Sequence, residues 1–183
     1  KNEEVELFHN YKNLGLSGLA NVGNTCYLNS CMQILSHTYE LNELLNNKEY
    51  RNNINKKPDT VLLLEWDNLR EMMWSDNCTI APNGFINAVK KVSTLKQRDL
   101  FAGHEQNDIQ EFLLFMIECF HTALARDVNM QITGNVINST DNLAKECFEM
   151  MKTMYNKEYS EMLNIFYGIH VSEISSLESG ESL

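Results

Sequence analysis

Hydrophobic residues recur at three- and four-residue intervals along most of this chain, which is the spacing of helices that bury one face. The strongest pattern predicts a helix from about Asn107 to Arg126. The same spacing predicts helices over 26–37, from Pro58 to Met73, from Pro82 to Val92, over 142–155 and near 159–163. The chain is therefore predicted to be mostly α-helical.

Polar stretches over 46–59 and 127–142 interrupt this pattern and predict a loop, or a short helix and loop, and an exposed loop. Apolar residues alternate from Ile165 to Ile174, which predicts one strand. Residues 175–183 resemble the turn of a hairpin whose second strand is missing. Because a lone strand leaves its backbone groups unpaired, we expect this chain to be one piece of a longer fold.

Composition narrows the class of protein. With 183 residues, 43% of them hydrophobic, the chain can form one domain with a real core. No apolar run reaches the ~20 residues of a membrane helix, and the first residues, Lys1 to Glu4, show no signal-peptide pattern. The net charge of −10 argues against a nucleic-acid ligand and favours either a basic partner or solubility alone.

Cysteine usage points to a reducing compartment, the cytoplasm or the nucleus. The five cysteines are scattered, and no two form a C-x-x-C pair. Four of them, Cys31, Cys78, Cys119 and Cys147, are interpreted as small buried hydrophobic residues.

Cys26 differs because a Gly-containing turn precedes it and a predicted helix follows it. The unpaired N–H groups and the positive dipole end at a helix start favour a thiolate. Asn24 and Thr25 are candidate caps of that helix. Asn21, on the same turn, is a candidate donor to an oxyanion. A buried structural thiol is the alternative interpretation of Cys26.

A cysteine nucleophile also needs a base, usually a histidine oriented by Asp or Asn. The five histidines are His9, His37, His104, His121 and His170. His104 precedes the longest predicted helix and is placed near the expected cleft. None of the five is surrounded by a pattern that would orient it as a base, so structural or surface roles are expected for all of them.

Two segments together resemble one enzyme family. Residues 18–30, GLANVGNTCYLNS, resemble the cysteine box of the ubiquitin-specific proteases, G-L-x-N-x-G-N-T-C-Y-x-N-S, at every fixed position. Residues 105–113, EQNDIQEFL, resemble the family's Q-Q-D-A-x-E-F-L segment, with Asn107 and Ile109 as departures. Residues 165–168, IFYG, resemble its L-F-x-G. The resemblance spans about Leu16 to Val171.

This resemblance implies an α+β fold overall, a papain-like hand of thumb, palm and fingers. Residues 1–183 would be one partial domain, the mostly helical thumb half plus the first strand or strands leading to the fingers. It also implies that Cys26 is the nucleophile and Asn21 the oxyanion donor. Asp108 and Glu111 would face ubiquitin's extended, arginine-containing tail, since carboxylates bind guanidinium groups strongly. Alternatively, Asp108 only complements a helix dipole.

Two elements of the family pattern have no match. The histidine box is absent, so the His and its Asp or Asn are expected from a downstream palm and fingers portion. The zinc-binding C-x-x-C pairs are absent too, so we expect neither metal nor cofactor. The chain alone is expected to be inactive and poorly stable.

The resemblance thus predicts a deubiquitinating cysteine protease that hydrolyses the (iso)peptide bond after the C-terminal glycine of ubiquitin through a Cys26 thioester. Its partners would be ubiquitin or ubiquitinated proteins, without nucleic acid or membrane. The alternatives are an inactive ubiquitin-binding scaffold of the same fold and a protease for a ubiquitin-like modifier.

Overall fold

Helices carry most of the residues that this computed structural model describes, which are 11–172 and 174. They are α1 Cys26–Ser36, α2 Tyr39–Asn46, α3 Asp59–Ser75, α4 Asn83–Leu95, α5 Ile109–Leu124, α6 Ser139–Tyr155 and α7 Glu161–Phe166. Short 3₁₀ turns lie at Glu49–Asn52 and Asp99–Phe101. The six predicted helices are confirmed as α1 and α3 to α7. Helix α2 was missed because its eight residues are too few to show a clear period.

Helix α5 forms the centre of the core. It packs against α3 and α1 on one side and α7 on another. Its side chains Phe112 and Phe120 are fully buried, and Phe120 stacks on the Trp66 ring of α3 with centroids 6.4 Å apart. Trp66 in turn meets Phe85 of α4 edge-on at 6.2 Å. The apolar periodicity of the sequence is therefore satisfied by helix-on-helix packing.

A short parallel strand pair holds the chain ahead of α1. Strand β1 (Gly18–Leu19) pairs with β2 (Thr79–Ile80), with Gly18 opposite Thr79. The N–H groups of Gly18 and Ala20 donate to the carbonyls of Cys78 and Ile80, both at 2.8 Å. Two-residue strands are too short to show alternation, so the sequence did not predict them.

The strand predicted from Ile165 to Ile174 was wrong. Ile165 and Phe166 end α7 and pack against the core. Residues 167–172 have no ladder partner within the part of the chain that the structure describes. An unpaired strand gains no hydrogen bonds, so alternation alone does not create one. The predicted hairpin turn at 175–183 lies outside the described residues.

A buried carboxylate fixes α3 to the polar segment before it. The fully buried Asp67 accepts hydrogen bonds from Lys48 Nζ and Tyr50 Oη, both at 2.6 Å, and from Arg70 Nη2 at 2.8 Å. Burial by itself raises the pKa of Asp67, but the hydrogen bonds from Lys48, Tyr50, Arg70 and Arg51 outweigh it and hold that pKa below its usual value. Asp67 therefore stays ionised inside the protein.

We predict that Asp67→Ala lowers the free energy of unfolding by about 3–5 kcal/mol, because it leaves the buried guanidinium of Arg70 without its counter-charge. The measurement is urea unfolding followed by circular dichroism. Glu158→Ala is the matched control, since Glu158 pairs with Lys57 at 3.2 Å on the exposed surface. That control should cost no more than about 1 kcal/mol. Equal losses in the two variants would contradict the role given to burial.

Candidate active site

Cys26 is the first residue of α1, and its side chain is exposed. Thr25 stands at the N-cap position, but no side chain caps this helix. The first N–H groups of a helix have no partner inside it, so the amides around Cys26 are available to a ligand. The predicted position of Thr25 as the N-cap is confirmed, but the prediction was wrong for Asn24, and neither side chain makes a capping hydrogen bond to α1. The Thr25 hydroxyl instead turns back and donates to Asn21 Oδ1 at 3.1 Å.

Asn21 is held by its carbonyl oxygen. Its Oδ1 accepts from Gly23 N at 3.2 Å, from Thr25 N at 3.1 Å and from the Thr25 hydroxyl. The two backbone N–H groups can only donate, which fixes the orientation of the amide, since an NH₂ group could not take that place. The exposed Nδ2 makes no hydrogen bond within the described residues, so Asn21 has free donors beside the helix start.

The backbone between Asn21 and Cys26 turns through left-handed conformations. Gly23 has φ 103° and Asn24 has φ 53°, which a glycine and an asparagine adopt at low cost. The side chain of Asn24 donates from Nδ2 to the carbonyl of His104 at 3.0 Å. This bond ties the turn to the loop before α5. The two residues are 80 positions apart, and no local sequence signal could have revealed the contact.

Asp108 is the N-cap of α5. Its Oδ1 accepts from Gln110 N at 2.8 Å and from Glu111 N at 3.0 Å. Its Oδ2 has no hydrogen bond among the residues described, and both Asp108 and Glu111 are exposed. The predicted structural role of Asp108 at the helix start is therefore present, and one carboxylate oxygen stays available to a ligand.

The starts of α1 and α5 are neighbours in space. The rings of Tyr27 and Phe112, both in the first turns of their helices, meet edge-on with centroids 5.1 Å apart. Together with the bond from Asn24 to His104, this contact brings the segments of Cys26 and Asp108 to one edge of the core. The structure thus joins the two sequence segments that were singled out.

A cleft of about 280 Å³ lies beside the turn. Gly23 and Asn24 form part of its wall, and Lys90 of α4 and His104 face it from the other side. Lys90 Nζ lies 3.2 Å from His104 Nε2. Among the described residues, no carboxylate hydrogen-bonds to His104 and no histidine hydrogen-bonds to the Cys26 thiol. His9 lies outside the described residues.

The remaining thiols divide into two groups. Cys31 and Cys119 are fully buried, as predicted, and burial raises the pKa of both thiols, that of Cys31 to about 12. Cys78 is exposed and Cys147 is half-buried, so the prediction of burial was wrong for Cys78. Cys78 lies just ahead of β2. Its backbone carbonyl accepts the hydrogen bond from Gly18 N, and this contact does not involve its side chain.

None of the described helices is long and apolar enough to cross a membrane. Within 11–172 and 174, no three side chains of His, Cys, Asp or Glu come together as a metal site would require. The expectation that the chain binds no zinc stays a prediction.

Comparison with known proteins gives consistent matches. The profile of the family described as "Ubiquitin carboxyl-terminal hydrolase" matches residues 17–182. The chain is 37% identical over 134 residues to ubiquitin carboxyl-terminal hydrolase Usp2 of Drosophila melanogaster, covering 73% of this chain and 13% of that protein. It is 30% identical over 172 residues to ubiquitin carboxyl-terminal hydrolase 2 of Homo sapiens, covering 91% of this chain and 27% of that protein. The chain therefore spans well under a third of these relatives.

Among solved structures, a chain from the SAGA DUB module of Ubp8, Sgf11, Sus1 and Sgf73 bound to monoubiquitin is similar to this one. The TM-score is 0.47 with 26% sequence identity, over 60% of this chain and 25% of that one.

We predict that iodoacetamide modifies Cys26 and Cys78 in the folded chain and leaves Cys31 and Cys119 intact. Alkylation needs an accessible thiolate, and burial denies both accessibility and ionisation to the second pair. Peptide mapping by mass spectrometry measures the extent at each site. Treatment in denaturant, where all five should react, is the control. Modification of Cys31 as fast as Cys26 under native conditions would show that the core is not closed.

Proposed function

This chain belongs to the ubiquitin carboxyl-terminal hydrolase family, and we propose that the protein containing it is a deubiquitinating cysteine protease. Its reaction is hydrolysis of the (iso)peptide bond after the C-terminal glycine of ubiquitin. The observation that carries the proposal is the geometry at α1: an exposed thiol at an uncapped helix start, next to an asparagine whose amide donors face outward. This supports acyl transfer through Cys26.

In the proposed reaction the Cys26 thiolate attacks the carbonyl carbon of the scissile bond. The negative charge that develops on the oxygen is stabilised by Asn21 Nδ2 and by the amides at the start of α1. The C–N bond then breaks, and the leaving amine takes a proton from the imidazolium of the base. Water hydrolyses the resulting thioester and releases the ubiquitin carboxylate.

The base belongs to a part of the protein beyond the described residues. We propose that a histidine and an orienting Asp or Asn in a downstream portion meet Cys26. The helix start favours the thiolate before that base acts, because its N–H groups and dipole attract negative charge. In this proposal the described residues supply the nucleophile and the oxyanion donors.

Substrate recognition is proposed to involve the start of α5. Asp108 Oδ2 and the exposed carboxylate of Glu111 lie on the same helical turn, near the segment of Cys26. Two carboxylates in that place suit an arginine-containing tail, since charge-assisted bonds to guanidinium are short and strong. The net charge of −10 adds a favourable field for a basic ligand.

We predict that, in the complete protein, ubiquitin carrying a C-terminal vinyl-type electrophile forms a covalent adduct with Cys26. The adduct is detected by a gel shift and by peptide mapping. Cys26→Ala should abolish it, whereas Cys78→Ala, which removes the other exposed thiol, should leave it unchanged. Asn21→Ala should lower kcat on a fluorogenic ubiquitin substrate by about 10²–10³.

The other outcomes separate the alternatives. Ubiquitin binding without any adduct would reject the protease and favour an inactive ubiquitin-binding scaffold. Adducts formed only with a ubiquitin-like modifier would change the substrate and keep the chemistry.

We predict that Asp108→Asn weakens ubiquitin binding without destabilising the helix. Asparagine caps helices about as well as aspartate, so the substitution removes the charge and keeps the cap. Asp108→Ala should lose both and lower the free energy of unfolding by about 1 kcal/mol. KM, thermal unfolding and ubiquitin affinity are measured together, with Glu149→Gln on α6 as the control for loss of one exposed charge. An unchanged KM in Asp108→Asn would leave Asp108 with the capping role alone.

A further inference from the structure

Asn29, in the first turn of α1, binds the backbone that leads into the turn. Its Nδ2 donates to the carbonyl of Leu19 and to the carbonyl of Ala20, both at 3.1 Å. Both amide hydrogens are used, and both acceptors lie immediately ahead of Asn21. These two bonds link the ends of the segment 19–29, and Asn21 and Cys26 lie within that segment.

The strand pair cannot hold Ala20 by itself. Ala20 N donates to the carbonyl of Ile80, so the next bond of a parallel ladder would run from the N–H of residue 82 to the carbonyl of Ala20. Residue 82 is Pro82, which has no N–H. The ladder therefore stops one bond short, and the side chain of Asn29 supplies a donor in its place.

The Oδ1 atom of Asn29 indicates that the side chain is at this position for its N–H donors. Its Oδ1 is buried and has no hydrogen-bond partner among the described residues. A buried acceptor without a partner is unfavourable, so an apolar side chain would be preferred here if only packing mattered. The two bonds from Nδ2 outweigh that disadvantage.

We propose that Asn29 is a positioning residue for the reaction: by holding Leu19 and Ala20, it keeps Asn21 where its Nδ2 meets the oxyanion formed at Cys26. This inference rests on the proposed function. Asn29 acts through Asn21 and does not touch the substrate. Its effect therefore falls on the transition state, in which the oxyanion exists, and hardly on the binding of ubiquitin.

The test is a double-mutant cycle in the complete protein with a fluorogenic ubiquitin substrate. Asn29→Ala should lower kcat roughly 10- to 100-fold, as displacement of an oriented group by about 1 Å does, with KM nearly unchanged. In the Asn21→Ala background the same substitution should lower kcat by less than about two-fold, because the group it positions is gone. Asn29→Asp should lower kcat as Asn29→Ala does, since the aspartate carboxylate would face two carbonyl oxygens and could not donate to them.

Asn42→Ala is the matched control. Asn42 also has a buried Oδ1 without a partner among the described residues, and its Nδ2 donates to the carbonyl of Ser36 at 2.7 Å, on α2 and away from the turn. This variant should lower thermal stability and keep the kcat of the folded protein. If Asn29→Ala is unfolded at the assay temperature, the cycle is run with Asn29→Ser, whose side chain is too short to reach both carbonyls.

Two results would overturn the inference. One is an Asn29→Ala loss of kcat as large in the Asn21→Ala background as in the wild type, which would show that Asn29 does not act through Asn21. The other is an unchanged kcat in Asn29→Ala. A wild-type protein without activity on ubiquitin is a different result, because it rejects the proposed function itself.

Discussion

The contact between the rings of Tyr27 and Phe112 determines where everything else at the site can lie. Phe112 is fully buried and also meets Phe101 edge-on at 5.2 Å, so α5 cannot slide or rotate without breaking core packing. Tyr27 follows Cys26 directly, and Phe112 is four residues after Asp108. The two helix starts are therefore fixed side by side by apolar packing, and the polar groups at their ends need only small local adjustments.

The polar side chains at this edge of the core use only part of their hydrogen-bonding capacity. Asn21 is held through its oxygen and Asp108 through Oδ1, while the Asn21 NH₂ and the Asp108 Oδ2 make no hydrogen bond to any described residue. In each case one atom is fixed by the backbone while the other faces solvent. This differs from the buried cluster around Asp67, where both carboxylate oxygens are used and the result is rigidity. A binding or catalytic site requires side chains that are held in place and still have a hydrogen-bonding atom available to the ligand.

The sequence predicted the features that depend on residues close together in the chain. Helices α1 and α3 to α7 follow from apolar spacing, and the cysteine turn follows from residues 18–30 alone. The errors came from contacts that the spacing does not encode. Ile165 and Phe166 belong to an alternating stretch but end a helix, because no partner strand is there among the described residues. Cys78, just ahead of β2, accepts a hydrogen bond from Gly18 through its backbone carbonyl and leaves its side chain exposed. The bond from Asn24 to His104 depends on how α1 and α5 pack, which no short motif contains.

The turn before Cys26 is held by neutral amides rather than by charges, and electrostatics gives a reason. A carboxylate at position 21, 24 or 29 would repel a thiolate and compete with it for the positive potential of the helix start, whereas an ammonium group would bind a carboxylate product. An amide carries a donor and an acceptor at opposite ends without net charge. Asn21 uses its acceptor for the turn, while Asn24 and Asn29 use their donors for backbone carbonyls. The geometry of the turn is thus fixed while the charge beside Cys26 is left to the helix start and to the reaction itself.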